Sequence, residues 1–455
     1  MHDCVVIGAG FSGMACARQL HDQGLDVVVI EARDRLGGRT CTDQLAGATV
    51  DVGGQWIGAT HTELATLADS ARVTLRDQFV SGDKLLHLGS RQQETMKRYR
   101  GLIPNVHPLA LLDVHQLMRI IDRYAASLDL SAPWDAEQAD HWDSQTLATW
   151  VRTRLLTRAS REIFDIATRS VMTAEPGALS LLGFLFYCAS NESFDYLTTA
   201  RGGAQHQVVE GGMVQLCEHL GAPLVAAGRV HLDAPVERVV TDAGGHVRVS
   251  SRAGAQWQAR RVVCTVPPAL QNRIDFQPLL PADRFRLAAR MPMGSVIKCL
   301  IAYETPFWRE LGLSGEAVSH AMPFNTVFDA SPLDGRFGAL VGFIDGAPAQ
   351  HWTLQSPQAR RQAVIDSLTH YFGPQAAQPI DYVDKDWLSD EWARGCYVGV
   401  MPPGLLTELG PALRRPCGLI HWAGTETAER YCGYIEGAIR SGQRAAAEVQ
   451  AALKA

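Results

Sequence analysis

The sequence predicts an α/β fold in which the segments of one domain lie far apart in the chain, and three observations predict it. Asp3–Glu31 (DCVVIGAGFSGMACARQLHDQGLDVVVIE) reads as strand, glycine turn, helix and second strand, a complete Rossmann-like βαβ unit. From about residue 80 to 200 glycine thins out and helical spacing takes over, as in 109–128 and 144–168. Strand patterns then return at 230–240, 246–251 and 261–265. The expected division is 1–80, 205–285 and 388–455 for the first domain, with 81–204 and 286–387 forming a discontinuous α+β second domain.

Each glycine of Gly8-x-Gly10-x-x-Gly13 has a physical task. Gly8 makes the turn, Gly10 lets the backbone approach a pyrophosphate, and Gly13 lets the helix lie close to the sheet. The helix, expected over 11–23 with Ser12 in its first turn, points unpaired N–H groups and the positive end of its dipole at that anion. Glu31 follows Gly8 by 23 positions, close to the ~20 that places a carboxylate on a ribose 2′-OH. That acid favours an unphosphorylated adenosine ribose, as in FAD or NAD. Directly after it, Arg33-Asp-Arg-Leu-Gly-Gly-Arg-Thr40 supplies main-chain and guanidinium donors for a second anion cradle, which selects between the two. Farther on, Val50-Asp-Val-Gly-Gly-Gln-Trp-Ile57 offers a glycine pair for close approach to a flat ring and an aromatic to pack beside it.

Composition removes several function classes. With 455 residues, 46% hydrophobic and 20% charged, the chain can bury two sizeable cores. A net charge of −6 without a basic run argues against nucleic-acid or anionic-membrane partners. The first strand starts at residue 3 and no apolar run reaches about 18 residues, so a cytoplasmic protein without a membrane span is expected. Ten scattered cysteines contain no CxxC pair, so neither a metal site nor a disulfide framework is expected. Trp134, Trp142 and Trp150 read as helix-packing residues. Lys298, in the apolar run Met293–Cys299, needs a partner or a purpose, because burying an ammonium is costly.

Glu31, Ala32, Arg35, Gly37, Gly38 and Arg39 match E-A-x-x-R-x-G-G-R, and the chain resembles the flavin-containing monoamine oxidase family on these and later motifs. These include Thr173–Ser180, Gly202-Gly-Ala-Gln205, Met293–Cys299, Pro306–Arg309, Arg394–Val398, His421–Thr427 and Cys432–Ala438. The resemblance implies a glutathione-reductase/amine-oxidase type FAD domain. It adds Gly53, Gly54, Gln55, Trp56, Val236, Trp387, Gly424, Thr425, Gly433, Tyr434 and Ile435 to the cofactor residues, with Val236 at adenine. Gly433 and Tyr434 precede a helix expected over 438–452, whose dipole would favour negative charge on a reduced flavin.

Tyr397 and Tyr434 correspond to two parallel tyrosines that form an aromatic slot for the amine. Lys298 corresponds to a lysine that holds a water and assists reaction of reduced flavin with oxygen. Leu197, Gln205, Phe328 and Phe343 are the expected substrate-pocket residues, with Gln205 read equally well as a turn-stabilising amide. Gln55 and Trp56 stand where amino-acid oxidases typically carry an arginine for the substrate carboxylate, which favours an amine without a carboxylate. Cys396 occupies the position that bonds the flavin 8α-methyl in mammalian-type relatives, so FAD is expected either through that thioether or beside a resting thiol. The chain stops at Ala455, without the membrane-anchoring tail of the mitochondrial enzymes. The expected function is FAD-dependent oxidation of an amine to an imine, hydrolysed to aldehyde or ketone, with O2 reduced to H2O2. The alternatives are a polyamine or cyclic secondary amine (nicotine-type) oxidase, or an FAD-holding isomerase or non-redox binding protein. Expected partners are a small-molecule amine and O2, with a homodimer left open.

Overall fold

Two mixed sheets, joined by helices, place the site. A computed structural model describes residues 1–90, 93–101, 104 and 106–454. The first sheet runs, in spatial order, Val230–His231, Val27–Ile30, His2–Ile7, Gln256–Cys264, Val247–Ser251, Val236–Thr241 and Asp275–Gln277; Ile420–Trp422 pairs with the end of Gln256–Cys264. His2–Ile7 lies parallel between Val27–Ile30 and Gln256–Cys264. Its residues Cys4–Ile7 and all of Val27–Ile30 are buried. These are the continuous β-branched runs expected of parallel strands covered on both faces.

Helix Phe11–Asp22 covers one face of this sheet and packs against helix Ile435–Lys454. Ser12 Oγ lies 3.0 Å from Ser441 Oγ, and a Cβ at Gly442 would fall 2.2 Å from the Ser12 carbonyl oxygen, so glycine there lets the two helices touch.

The second sheet runs Asp381–Asp386, Val296–Tyr303, Gly338–Asp345, Thr326–Asp329, Leu313–Ser319, Asp83–Ser90 and Gln93–Tyr99. Between the strands at 83–99 and those after 296 the chain forms a helical layer that includes Pro108–Ala125, Arg158–Met172 and Leu181–Ser190. Tyr124 stacks on Trp142 at 5.0 Å within the core of this layer.

Several boundaries differ from the sequence reading. The stretch 144–168 contains two helices, Leu147–Arg152 and Arg158–Met172, because Thr146 and Thr157 each turn a side-chain oxygen onto a backbone N–H and start a new helix. The strand expected at 230–240 is broken at Asp233, whose φ is 52°, and at Pro235, which has no N–H to donate. The last helix starts three residues earlier than expected, at Ile435. All ten cysteines are free. Among the described residues no helix is long and apolar enough to cross a membrane, and no cluster of metal-ligating side chains is present.

Candidate active site

A single cavity of about 680 Å³ runs from the glycine turn of the first sheet to one face of the second. Its floor follows from the first βαβ unit. Gly8 has φ 105°, and a Cβ on Gly13 would lie 1.9 Å from the Gly8 carbonyl oxygen, so helix and turn can meet only with glycine at 13. Gly10 caps the helix without a side-chain acceptor, leaving its first N–H groups free to face the cavity. Gly424 N–H donates to Ser12 Oγ at 2.8 Å, tying this turn to the Thr425 segment.

Glu31 is buried, and its carboxylate bridges two turns: Ala9 N–H donates at 2.7 Å and Arg33 N–H at 2.9 Å. A carboxylate has about four lone-pair sites, which leaves capacity for a ribose hydroxyl. Gly8, Gly10, Ser12, Glu31, Ala32, Arg33, Gly38, Arg39 and Val236 all line this end of the cavity. The cradle fits a flavin dinucleotide: glycine backbones where side chains would collide, a helix N-terminus for a diphosphate, and a buried acid for a ribose.

Arg39 links the cradle to the other end. Its guanidinium forms a two-pronged pair with Glu426, at 2.6 and 3.1 Å, and also donates to the Tyr397 carbonyl at 2.8 Å. The pair raises the Arg39 pKa against the opposing effect of burial. Thr173 Oγ1 donates to the Cys396 carbonyl at 2.6 Å and accepts from Tyr397 N–H at 3.2 Å. The Cys396–Tyr397 peptide, which is cis, thus has both its C=O and its N–H bonded to the one Thr173 hydroxyl.

Beyond this point the walls become apolar and aromatic. Gly53, Gly54, Gln55, Trp56, Cys396, Tyr397, Gly424, Thr425, Gly433, Tyr434 and Ile435 line the middle of the cavity, and Leu197, Gln205, Phe328 and Phe343 line its continuation. Phe343 meets the Tyr397 ring edge-on at 5.9 Å, and Trp56 meets Phe328 at 5.5 Å. Gln205 Nε2 donates to the Leu197 carbonyl at 3.1 Å, so the amide both braces the turn and borders the cavity. Burial lifts the Cys396 thiol to about 12 despite the nearby Arg39.

Two residues expected at the site stand behind its wall. Trp387 is buried among core residues, and its indole donates to the Val52 carbonyl at 3.0 Å, holding the Gly53–Gly54 backbone from the rear. Lys298 pairs across the second sheet with Phe343 but is covered by Gly53 and Gln55. Its ammonium, 2% exposed, donates to the Gly53 carbonyl at 2.8 Å and to the Gln55 side-chain oxygen. Burial lowers its pKa to about 8, while Asp51 acts in the opposite direction.

Other positioning residues escaped the sequence reading. Asp51 is buried, accepts from Met213 N–H at 2.9 Å, and is raised by burial against the charge of Lys298. Glu436, fully buried, accepts from the N–H groups of Glu63 and Leu64 and so caps helix Thr62–Ala71. Tyr187 lines the cavity with its ring 6.5 Å from that of Tyr434. An acid in the first turn of a helix was the only sequence signal among these, and it applied to Glu436.

A dinucleotide cradle that opens directly into an aromatic-walled apolar pocket defines a flavin-dependent oxidoreductase. The family model described as flavin containing amine oxidoreductase matches residues 11–450. Amine oxidase [flavin-containing] B of Sus scrofa is 34% identical over 457 residues, covering 99% of this chain and 86% of that protein. Cyclohexylamine oxidase from Brevibacterium oxydans IH-35A has 35% identity and a TM-score of 0.93, with 100% of both chains covered. A putrescine oxidase solved bound to putrescine has 32% identity and a TM-score of 0.93, with 99% of both chains covered. The chain belongs to the flavin-containing amine oxidoreductase family, and it is an oxidoreductase that acts on amines.

Proposed function

We propose that the protein oxidises a hydrophobic monoamine to an imine, which water hydrolyses to an aldehyde or ketone, and that O2 is the final acceptor and leaves as H2O2. The observation that carries this reading is the continuity of the glycine cradle with the apolar continuation of the cavity through Tyr397 and Tyr434. FAD, when bound, supplies the acceptor for a hydride equivalent from the amine and the means of passing two electrons to oxygen.

In this reading Tyr397 and Tyr434 orient the amine as free base, and their rings stay neutral because burial raises both hydroxyl pKa values. Leu197, Phe328 and Phe343 exclude water from the apolar body of the substrate, and Gln205 closes one side. Lys298 serves the oxygen half of the cycle from behind Gly53 and Gln55. Cys396, whose buried thiol is held protonated, would be the residue that attaches the flavin through its Sγ; the two electrons and two protons released on forming the thioether would pass to the flavin ring and from there to O2.

Incubating the holoenzyme aerobically with primary, secondary and aromatic amines, and measuring peroxide, tests the reading. Peroxide released in step with aldehyde or ketone is expected from hydrophobic monoamines. Flavin that stays oxidised with every amine would leave an isomerase or a binding protein on this scaffold. Peroxide from polyamines or cyclic secondary amines alone would change the substrate class.

A further inference from the structure

The face of the second sheet that lines the cavity changes chemistry from strand to strand. Register places Phe343 beside Thr326 and Val318 beside both Thr326 and Leu86, and all four line the cavity. Two residues farther along their strands, Phe328, Glu316 and Lys84 also line the cavity, as does Tyr99, which pairs with Lys84. Lys84 Nζ and a Glu316 carboxylate oxygen lie 2.8 Å apart, with side chains 14% and 15% exposed. From the strand of Phe343, which touches Tyr397, to that of Lys84 is three strand spacings, or ~14 Å. A charged pair therefore sits at the far end of a wall otherwise made of apolar and uncharged side chains, away from Tyr397.

We propose that Lys84 and Glu316 form a two-sided charge filter that determines substrate specificity by excluding amines whose far end carries a charge of either sign. The proposal rests on the amine-oxidase reading of the cavity. The physical argument is symmetrical. A distal ammonium finds the Glu316 carboxylate already occupied and meets the positive charge of Lys84; a distal carboxylate meets Glu316 and cannot claim Lys84. Either ion would be desolvated between apolar walls without a free counter-charge, whereas a neutral tail leaves the pair intact. Of the other carboxylates on the cavity wall, none is part of the Lys84–Glu316 pair. Glu31 and Glu237 belong to the dinucleotide end beside Ala32 and Val236, and Asp195 is exposed. Repulsion against the wrong partner is a recognised source of selectivity, and it predicts that removing one charge admits a guest whose far end carries that same sign.

Three amines of matched length test this: decylamine, decane-α,ω-diamine and ω-aminodecanoate. Steady-state kcat/KM and dissociation constants, the latter from perturbation of the flavin spectrum, are measured at one pH for the wild-type holoenzyme, Lys84→Met and Glu316→Gln. The wild type should favour decylamine over both others. Lys84→Met should raise the diamine-to-decylamine ratio at least about tenfold and leave the aminodecanoate ratio low, while Glu316→Gln should do the reverse. Because each result is a ratio within one variant, a general loss of folded enzyme cancels. Ratios that fail to move in opposite directions, or a wild type that prefers the diamine, overturn the filter. If no amine is turned over but the binding ratios invert as stated, the filter stands and the oxidase reading fails.

Discussion

Replacing Arg39 by methionine should be far more damaging than its partly exposed surface suggests. The Arg39 side chain is 21% exposed, but its partner Glu426 is 1% exposed. The substitution removes both prongs of the pair and leaves the carboxylate buried without a counter-charge, which costs about 3–5 kcal/mol. With a urea dependence of ~3 kcal/mol per molar for the cooperative unit, the midpoint of unfolding should fall by on the order of 1 M. Arg39→Met combined with Glu426→Leu removes the stranded charge and should recover more than half of that loss, because an apolar pair of similar volume can replace a buried ion pair at little cost. The double variant remains impaired in turnover, by about tenfold to a hundredfold, since the Tyr397 carbonyl has lost its guanidinium donor and the slot its alignment. Urea titrations followed by flavin fluorescence, alongside amine kinetics, supply both readouts. A single variant no less stable than the double would show that the pair does not hold these segments together.

Four further outcomes are expected. Lys298→Met should slow reoxidation of reduced flavin more than reduction by amine in stopped-flow; in the wild type the oxygen rate should fall as pH rises through about 8, where the ammonium loses its proton. Because the Asp51 charge raises that value, Asp51→Asn should move the midpoint lower, and an upward move would refute the assignment. Tyr397→Ala with Tyr434→Ala should sharply reduce turnover while the holoenzyme stays yellow; a colourless protein would make the rings structural instead. Acid precipitation should give a yellow pellet if Cys396 holds the cofactor, and a white pellet with flavin in the supernatant excludes the bond.

The elements whose chemistry is local were legible in the sequence. The βαβ unit, its three glycines and Glu31 follow from spacing alone, because turn geometry, helix approach and an acid at a strand end are short-range requirements. The cavity residues Leu197, Gln205, Phe328 and Phe343 came from resemblance, since nothing in their neighbourhoods distinguishes a cavity wall from a core. The misses share one physical cause. Asp51, Glu436, Thr173 and Tyr187 act on residues many positions away, for example Asp51 on Met213 and Thr173 on Cys396, and their short-range context is that of ordinary buried groups. Trp387 shows the converse: its motif is a site motif, yet its indole supports the backbone of the site without reaching the cavity.

The contact between Phe11–Asp22 and Ile435–Lys454 makes the glycine turn depend on residues from widely separated parts of the chain. Ser12 meets Ser441, and both hydroxyls take the same Gly424 N–H, so the pyrophosphate turn translated within the first dozen residues is completed by residues more than four hundred positions later. Cutting the chain before Ile435 would remove Ser441 and the helix that covers Phe11–Asp22, and the turn would lose one wall of its cradle.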